Sequence, residues 1–179
     1  MSPINKKTID LDQKVKILGE SAQFDLCGAC ANQIERKRHP LGGWIYPAVT
    51  PDGERINLLK ILLSNDCIHN CYYCGNREGR PGDRSRFQPE ELVRLFLNMY
   101  QNGLVKGLFL SSAVDRNPFR TMEDMIKVIE ILRYKSHFPG YIHLKILPES
   151  TTDYIETAVR LATRVSINIE APSPVYLKK

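Results

Sequence analysis

Apolar residues recur along this chain with two periods, and the switches between them lay out its elements. Leu58–Leu63 is a short apolar run that reads as a first core strand. Pro89-Glu90-Glu91 then puts proline and acids where a helix starts, and Leu92, Phe96 and Met99 follow at helical spacing. Gly107–Ser111 reads as a second strand. Thr121 with Asp124 resembles a capping box ahead of Met125, Ile129 and Leu132. Tyr141–Leu147 reads as a third strand. Ser150 with Asp153 is expected to cap a third helix bearing Ile155, Ala158, Val159 and Ala162, and Arg164–Glu170 reads as a fourth strand. Strand and helix alternating in steps of about thirty to forty residues imply parallel crossover units, hence an α/β fold.

Ahead of this region the pattern changes. Ile9, Leu11, Val15, Ile17 and Leu18 predict a helix over residues 8–19, ending at Gly19. Residues 45–50 and 55–63 flank the turn signal Asp52-Gly53 and read as a brief hairpin. The expected division is therefore an N-terminal extension, residues 1–56, and a strand–helix region, residues 57–179.

Alternation within the later strands separates two faces. Ile142, Leu144 and Ile146 fall on one, and His143 and Lys145 on the other. Val165, Ile167 and Ile169 fall on one, and Ser166, Asn168 and Glu170 on the other. A parallel strand covered on both faces is apolar throughout, so a polar row implies a wet cavity or an open, solvated face. In a barrel the polar row points inward, and sites lie at the C-terminal strand ends.

Composition adds limits rather than identity. Of 179 residues, 42% are hydrophobic and 25% charged, which suits a domain with a real core. The N-terminal stretch lacks an apolar signal region, and no run is long enough to span a bilayer. The net charge of +5 is compatible with a polyanionic partner. The run Glu35-Arg36-Lys37-Arg38-His39 reads as solvated surface. Arg77, Arg80, Arg84 and Arg86 make a second basic stretch, placed to grip phosphates or simply to pair with nearby acids.

The cysteines carry the chemistry. Five, an odd number, in metal-like spacing argue for a reducing compartment, and so for the cytoplasm. Cys27 and Cys30 form a lone C-x2-C pair, read as packed residues before a ligand or redox pair. Cys67, Cys71 and Cys74 stand in C-x3-C-x2-C spacing directly after the first core strand. Three thiolates on so short a loop can hold a four-iron cluster and leave one iron open for chemistry. The competing assignment is a closed zinc site completed by Cys27, Cys30 or His69. Zinc favours paired C-x2-C knuckles, which this unequal triad is not.

The triad, with Tyr73 in the slot before the last cysteine, resembles the radical S-adenosylmethionine superfamily. Phe24–Cys27, Leu58–Leu63, Gly107–Ser112, Tyr141–Lys145 and Ser166–Glu170 together resemble one subfamily, the proposed DNA modification or repair proteins whose genes are linked with a uracil-DNA glycosylase-like partner. The resemblance implies a partial (β/α) barrel of about four parallel strand–helix units, truncated at its C-terminus where relatives carry about six. It implies a 4Fe-4S cluster on Cys67, Cys71 and Cys74, and S-adenosylmethionine held near Tyr73. Where the superfamily often has Gly-Gly-Glu for the methionine amino group, this chain reads Ser111-Ser112-Ala113, so the two hydroxyls are the expected substitute. Asn168 and Glu170 resemble the pair that holds the ribose. The implied activity is reductive cleavage to a 5′-deoxyadenosyl radical, with a flavodoxin or ferredoxin as electron donor and nucleic acid, DNA before RNA, as substrate. The other classes carried alongside are a non-catalytic iron–sulfur or zinc module that binds nucleic acid, and a truncated subunit that needs a partner.

Overall fold

The computed structural model describes residues 10–24, 45–50 and 52–168. Helix α1 spans Leu11–Ser21, and a single 3-10 turn, Ala22–Phe24, follows it. Strands β1 (Ile45–Val49) and β2 (Arg55–Leu62) come next, then α2 (Pro89–Gln101), β3 (Gly107–Ser111), α3 (Pro118–Glu130), β4 (Tyr141–Lys145), α4 (Thr152–Leu161) and β5 (Arg164–Ser166). The five strands lie in one sheet in chain order. β1 pairs antiparallel with β2, and β2 to β5 are parallel. The expected hairpin and the alternating parallel units are both present. Together they make the α/β architecture of a partial (β/α) barrel.

Each element follows from local chemistry. The hairpin turn closes where Gly53, at φ +86, donates its amide to the Thr50 carbonyl. That left-handed backbone favours glycine. Gly107 opens β3 so close to β4 that a Cβ there would lie 2.5 Å from the Tyr141 carbonyl. In α2 the Gln88 amide donates to the Glu91 carboxylate, the reciprocal half of a capping box. Glu91 also accepts from Lys14 at 2.8 Å, which ties α1 to α2.

One face of the sheet carries the main core. Leu59, Ile61, Leu108, Leu110, Ile142 and Leu144 point at Leu92, Phe96, Met122, Met125 and Ile129 from the helices, all of them buried. Each such side chain contributes roughly 1.5–3 kcal/mol on burial. The opposite face has a small apolar floor of Ile56, Leu58 and Phe109.

Several boundaries differ from expectation. The first helix starts at Leu11 behind its Asp10 N-cap, three residues later than the pattern suggested, and runs through Gly19 to Ser21. Asn117, not Thr121, caps α3: its side chain accepts from the Arg120 amide, while Thr121 is buried one turn further in. Thr151 is the N-cap of α4, and the Ser150 hydroxyl instead donates to the Leu147 carbonyl. β4 ends at Lys145 and β5 at Ser166, both short of the expected runs. Cys27, Cys30, residues 35–39 and Glu170 lie outside the described residues.

Candidate active site

Strand β2 delivers the chain into the cysteine loop, and the loop folds back on the strand end. Phe87 donates its amide to the Leu63 carbonyl, and the Ala113 amide from beyond β3 donates to Ser64. Ile68 donates to the Val114 carbonyl at 2.8 Å, so the first cysteine is moored to the end of β3. Cys74 donates to the Cys71 carbonyl at 2.9 Å and Glu78 to that of His69, which curls residues 69–78 into tight turns. The Asn76 amide points at Cys74 Sγ, 3.4 Å away.

None of Cys67, Cys71 and Cys74 is in a disulfide, and all three are partly exposed. No three His, Cys, Asp or Glu side chains among the described residues gather around a single-ion position. A four-iron cluster needs no such convergence, because each thiolate takes a different iron. Three cysteines outside any disulfide, on one moored loop at the C-terminal strand ends, are therefore a donor set that fits the cluster.

The loop is held by an internal arginine. Arg84 donates to the carbonyls of Asn65 (2.5 Å), Asn76 (3.0 Å), Arg77 (2.8 Å) and Arg80 (3.0 Å). Buried Asn65 donates to Ser21 Oγ and to the Asp83 carbonyl, both at 2.9 Å, and accepts from the Ser85 amide. Asn76 donates to the Ser21 carbonyl, and the Phe24 ring lies directly on Gly75, where a Cβ would be 2.4 Å away. The end of α1 is thus one wall of the loop. Arg86 pairs with Asp115 and, at 2.6 Å, with Asp124. The reading of Arg84 and Arg86 as phosphate ligands is accordingly corrected: one staples backbone and the other is clamped between carboxylates. Arg77 donates to the Tyr72 carbonyl, and exposed Arg80 lies over the Phe24 ring.

The other expected site residues are dispersed along the same rim. Tyr73 is 68% exposed beside the cysteines. Ser111 is buried at the end of β3. The Ser112 hydroxyl accepts from the Ser64 amide and donates to the Ser64 carbonyl, so it stitches β3 to β2. Asn168 is exposed just past β5.

The polar strand face is more tightly built than alternation alone suggested. Lys60 Nζ lies 5.3 Å from the Tyr46 ring centre and 5.2 Å from that of Phe109. Phe109 stacks on His143 at 4.2 Å, and His143 Nε2 meets Ser166 Oγ at 2.8 Å. Burial first, then the charges of Arg164 and Lys60, push the His143 pKa down to about 4. It is therefore neutral near pH 7. Burial likewise brings the Lys145 pKa down to about 8. The sequence reads His143 and Lys145 only as a polar row and leaves Lys60 unassigned, although an ionisable residue within a strand otherwise built for the core was the available signal.

The Radical SAM superfamily model matches residues 61–179, from the end of β2 onward. This chain belongs to the Radical SAM superfamily. Members of that superfamily use a 4Fe-4S cluster and S-adenosylmethionine. Among solved structures, HydG, a maturase of the FeFe-hydrogenase, is 21% identical with a TM-score of 0.42. That match covers 56% of this chain and 22% of HydG. No curated protein matches. No helix among the described residues is long and apolar enough to cross a membrane.

Proposed function

We propose that this chain acts as a radical S-adenosylmethionine enzyme on nucleic acid. The observation that carries the reading is the trio of cysteines, none in a disulfide, on a moored loop at the C-terminal strand ends, inside the region that matches the superfamily. Cys67, Cys71 and Cys74 would hold the cluster, leaving one iron for the methionine end of the cofactor. The chemistry supplied by the bound pair is one-electron cleavage of the cofactor's carbon–sulfur bond, giving methionine and a 5′-deoxyadenosyl radical that takes hydrogen from the substrate.

This chain's own residues do the rest. The Arg84 staple and the Asn65–Ser21 contacts fix the cysteine loop against α1. Tyr73 stands where the adenine is expected, and Ser111 near the methionine end. Asn168 and Glu170 are the proposed ribose contacts. Ser112 is the weaker methionine-end candidate, since its hydroxyl already bonds Ser64.

DNA is the proposed substrate class, before RNA, supported by the subfamily resemblance and the net charge of +5. With Arg84 and Arg86 engaged internally, Arg77 and Arg80 are the loop's candidates for phosphate contact. A uracil-DNA glycosylase-like protein, a flavodoxin or ferredoxin donor and a cytoplasmic setting complete the proposal.

The test is anaerobic reconstitution followed by reduction with dithionite in the presence of S-adenosylmethionine. Formation of 5′-deoxyadenosine, lost when Cys67, Cys71 and Cys74 are all replaced by alanine, is the expected result. A chain that takes up iron and sulfide equally with and without those cysteines overturns the reading, as does native protein that loads zinc stoichiometrically. For the substrate, DNA affinity that falls as salt rises is expected, and DNA binding that ignores salt counts against it.

A further inference from the structure

A cleft of about 260 Å³ opens where the end of α1 meets the outer side of the cysteine loop. Ile17, Phe24 and Pro81 give it an apolar lining, and Glu20, Gln23 and Asp83 stand exposed at its rim. Its two walls are fastened together. Asn65 Nδ2 donates to Ser21 Oγ at 2.9 Å, and Asn76 Nδ2 donates to the Ser21 carbonyl at 3.3 Å. Arg84 holds the loop wall from within through its four carbonyl contacts. The cleft is therefore formed before any ligand arrives, as small-ligand sites usually are.

Flat groups are layered inside it. Gly75 has no side chain, so the Phe24 ring lies directly on the loop, where a Cβ would be 2.4 Å away. The Arg80 guanidinium lies over the same ring, 5.2 Å from its centre, and Arg80 is otherwise exposed. The ring thus anchors a guanidinium at the lip of the cleft. A guanidinium held on an aromatic ring offers its plane to a second flat partner. The rim carboxylates only accept hydrogen bonds, so that partner must carry N–H donors along an edge. The same carboxylates repel a ligand that is purely anionic. A planar ligand with amino hydrogens on its edge is an amino-bearing nucleobase: cytosine, adenine or guanine. Inside a duplex those planes are already stacked, so the ligand is unpaired.

We infer that this cleft binds an unpaired, amino-bearing nucleobase, stacked on Arg80 over Phe24 and held at its edge by Glu20 or Asp83. The inference rests on the function proposed above, because it gives the nucleic acid a second point of attachment. Gly75 and Asn76, which line the cleft, directly follow Cys74, so a strand held here lies beside the cysteine loop. Arg80 then offers its plane to a base, while its N–H edge stays open to a phosphate.

Fluorescence anisotropy on the full chain with reconstituted cluster tests this. The probes are labelled single strands of equal length: deoxycytidine, thymidine and abasic sugar–phosphate. Native protein is expected to bind the cytosine strand about tenfold more tightly than the abasic one, and about threefold more tightly than the thymine one. Arg80→Lys keeps the charge and loses the plane. It should remove about tenfold of the cytosine affinity and leave the abasic affinity and the salt slope within about twofold. Glu20→Gln combined with Asp83→Asn should bring cytosine and thymine strands level, since each amide both donates and accepts. All three residues are exposed, so these variants are expected to fold as native protein does. Deoxycytidine monophosphate that competes through Arg80 names a free nucleotide as the source of the base, and competition by strands alone names nucleic acid. An Arg80→Lys variant that binds every strand as native protein does, or that loses the abasic strand equally, overturns the inference. So does strand binding that ignores Arg80 while reduction of the cluster by flavodoxin depends on it, which assigns the cleft to the electron donor. If native protein forms no 5′-deoxyadenosine yet prefers cytosine through Arg80, the proposed function fails and this site stands. If cleavage proceeds and strand binding ignores Arg80, the function stands and this site fails.

Discussion

The two faces of the sheet come from the same strands and do different work. On the helix side, Leu59, Ile61, Leu108, Leu110, Ile142 and Leu144 are all at 0% exposure and pack one continuous core. One residue along each strand, Lys60, Phe109, His143, Lys145 and Ser166 face the other way. Three of these five are ionisable and nearly as deeply buried, so their charged forms cost stability. The first face holds the fold together. The second spends stability on groups placed beside the cysteine loop, which is where a reaction site is expected.

The sharpest way to break this comparison is to cut matched positions on the two faces. Leu110→Ala should cost about 2–5 kcal/mol, because the cavity opens in the closed core. Lys145→Met, at the neighbouring register step, should cost less, because a chain of similar volume fills the same space and opens no cavity. Chemical denaturation of both variants measures the contrast, and equal losses would erase the distinction between the faces.

The cysteine loop should respond next most strongly. Arg84→Ala removes donors from four carbonyls and should destabilise by about 2–4 kcal/mol while lowering iron and sulfide retention. Arg84→Lys should not restore it, since a single ammonium cannot reproduce the fork. Retention equal to native protein in both variants would show that the loop does not depend on this staple.

The polar face should also reveal itself through pH. The folded pKa of His143 is about 4 against 6.5 for the free side chain, so the unfolded chain takes up its proton first. Stability contributed by neutral His143 is present above about pH 6.5 and is lost as pH falls toward 4. For Lys145 the folded value of about 8 lies below 10.5, so stability rises as pH climbs from about 8 to 10.5. His143→Gln should flatten the acid limb and Lys145→Met the alkaline one, read from denaturation midpoints across pH. Unchanged limbs would place these groups in water.

The smallest expected effect is that of Ser112→Ala. Losing its two bonds to Ser64 should cost about 0.5–1.5 kcal/mol, with S-adenosylmethionine affinity held within about twofold. A tenfold loss of affinity would instead move Ser112 from the strand seam into the cofactor site.

Much of this was legible along the chain. The three cysteines and Tyr73 lie within residues 67–74, so their spacing survives any tertiary arrangement. Pro89-Glu90-Glu91 starts α2 where it should, since its capping contacts all fall within four residues. Thr121 misled because Asn117, four residues earlier, offers an equally good side-chain acceptor, and burial of Thr121 against the core decides between them. Arg84 and Arg86 misled for a related reason: their partners lie in carbonyls that a folded loop turns inward, and in Asp115 and Asp124 from beyond the next strand.

What the chain determined by itself was whatever depends on near neighbours: strand–helix alternation, the parity that splits each strand into two faces, and the thiol triad. Periods of two and 3.6 are built into the backbone, so they need no tertiary contact to be read. Only the tertiary structure decided which row Lys145 joins, that Phe109 stacks on His143, and that Arg84 and Arg86 are turned inward. Those outcomes depend on register between strands distant in sequence and on which carbonyls the folded loop leaves without partners. Both are settled by packing the helix-side core, whose best fit places each row of the opposite face.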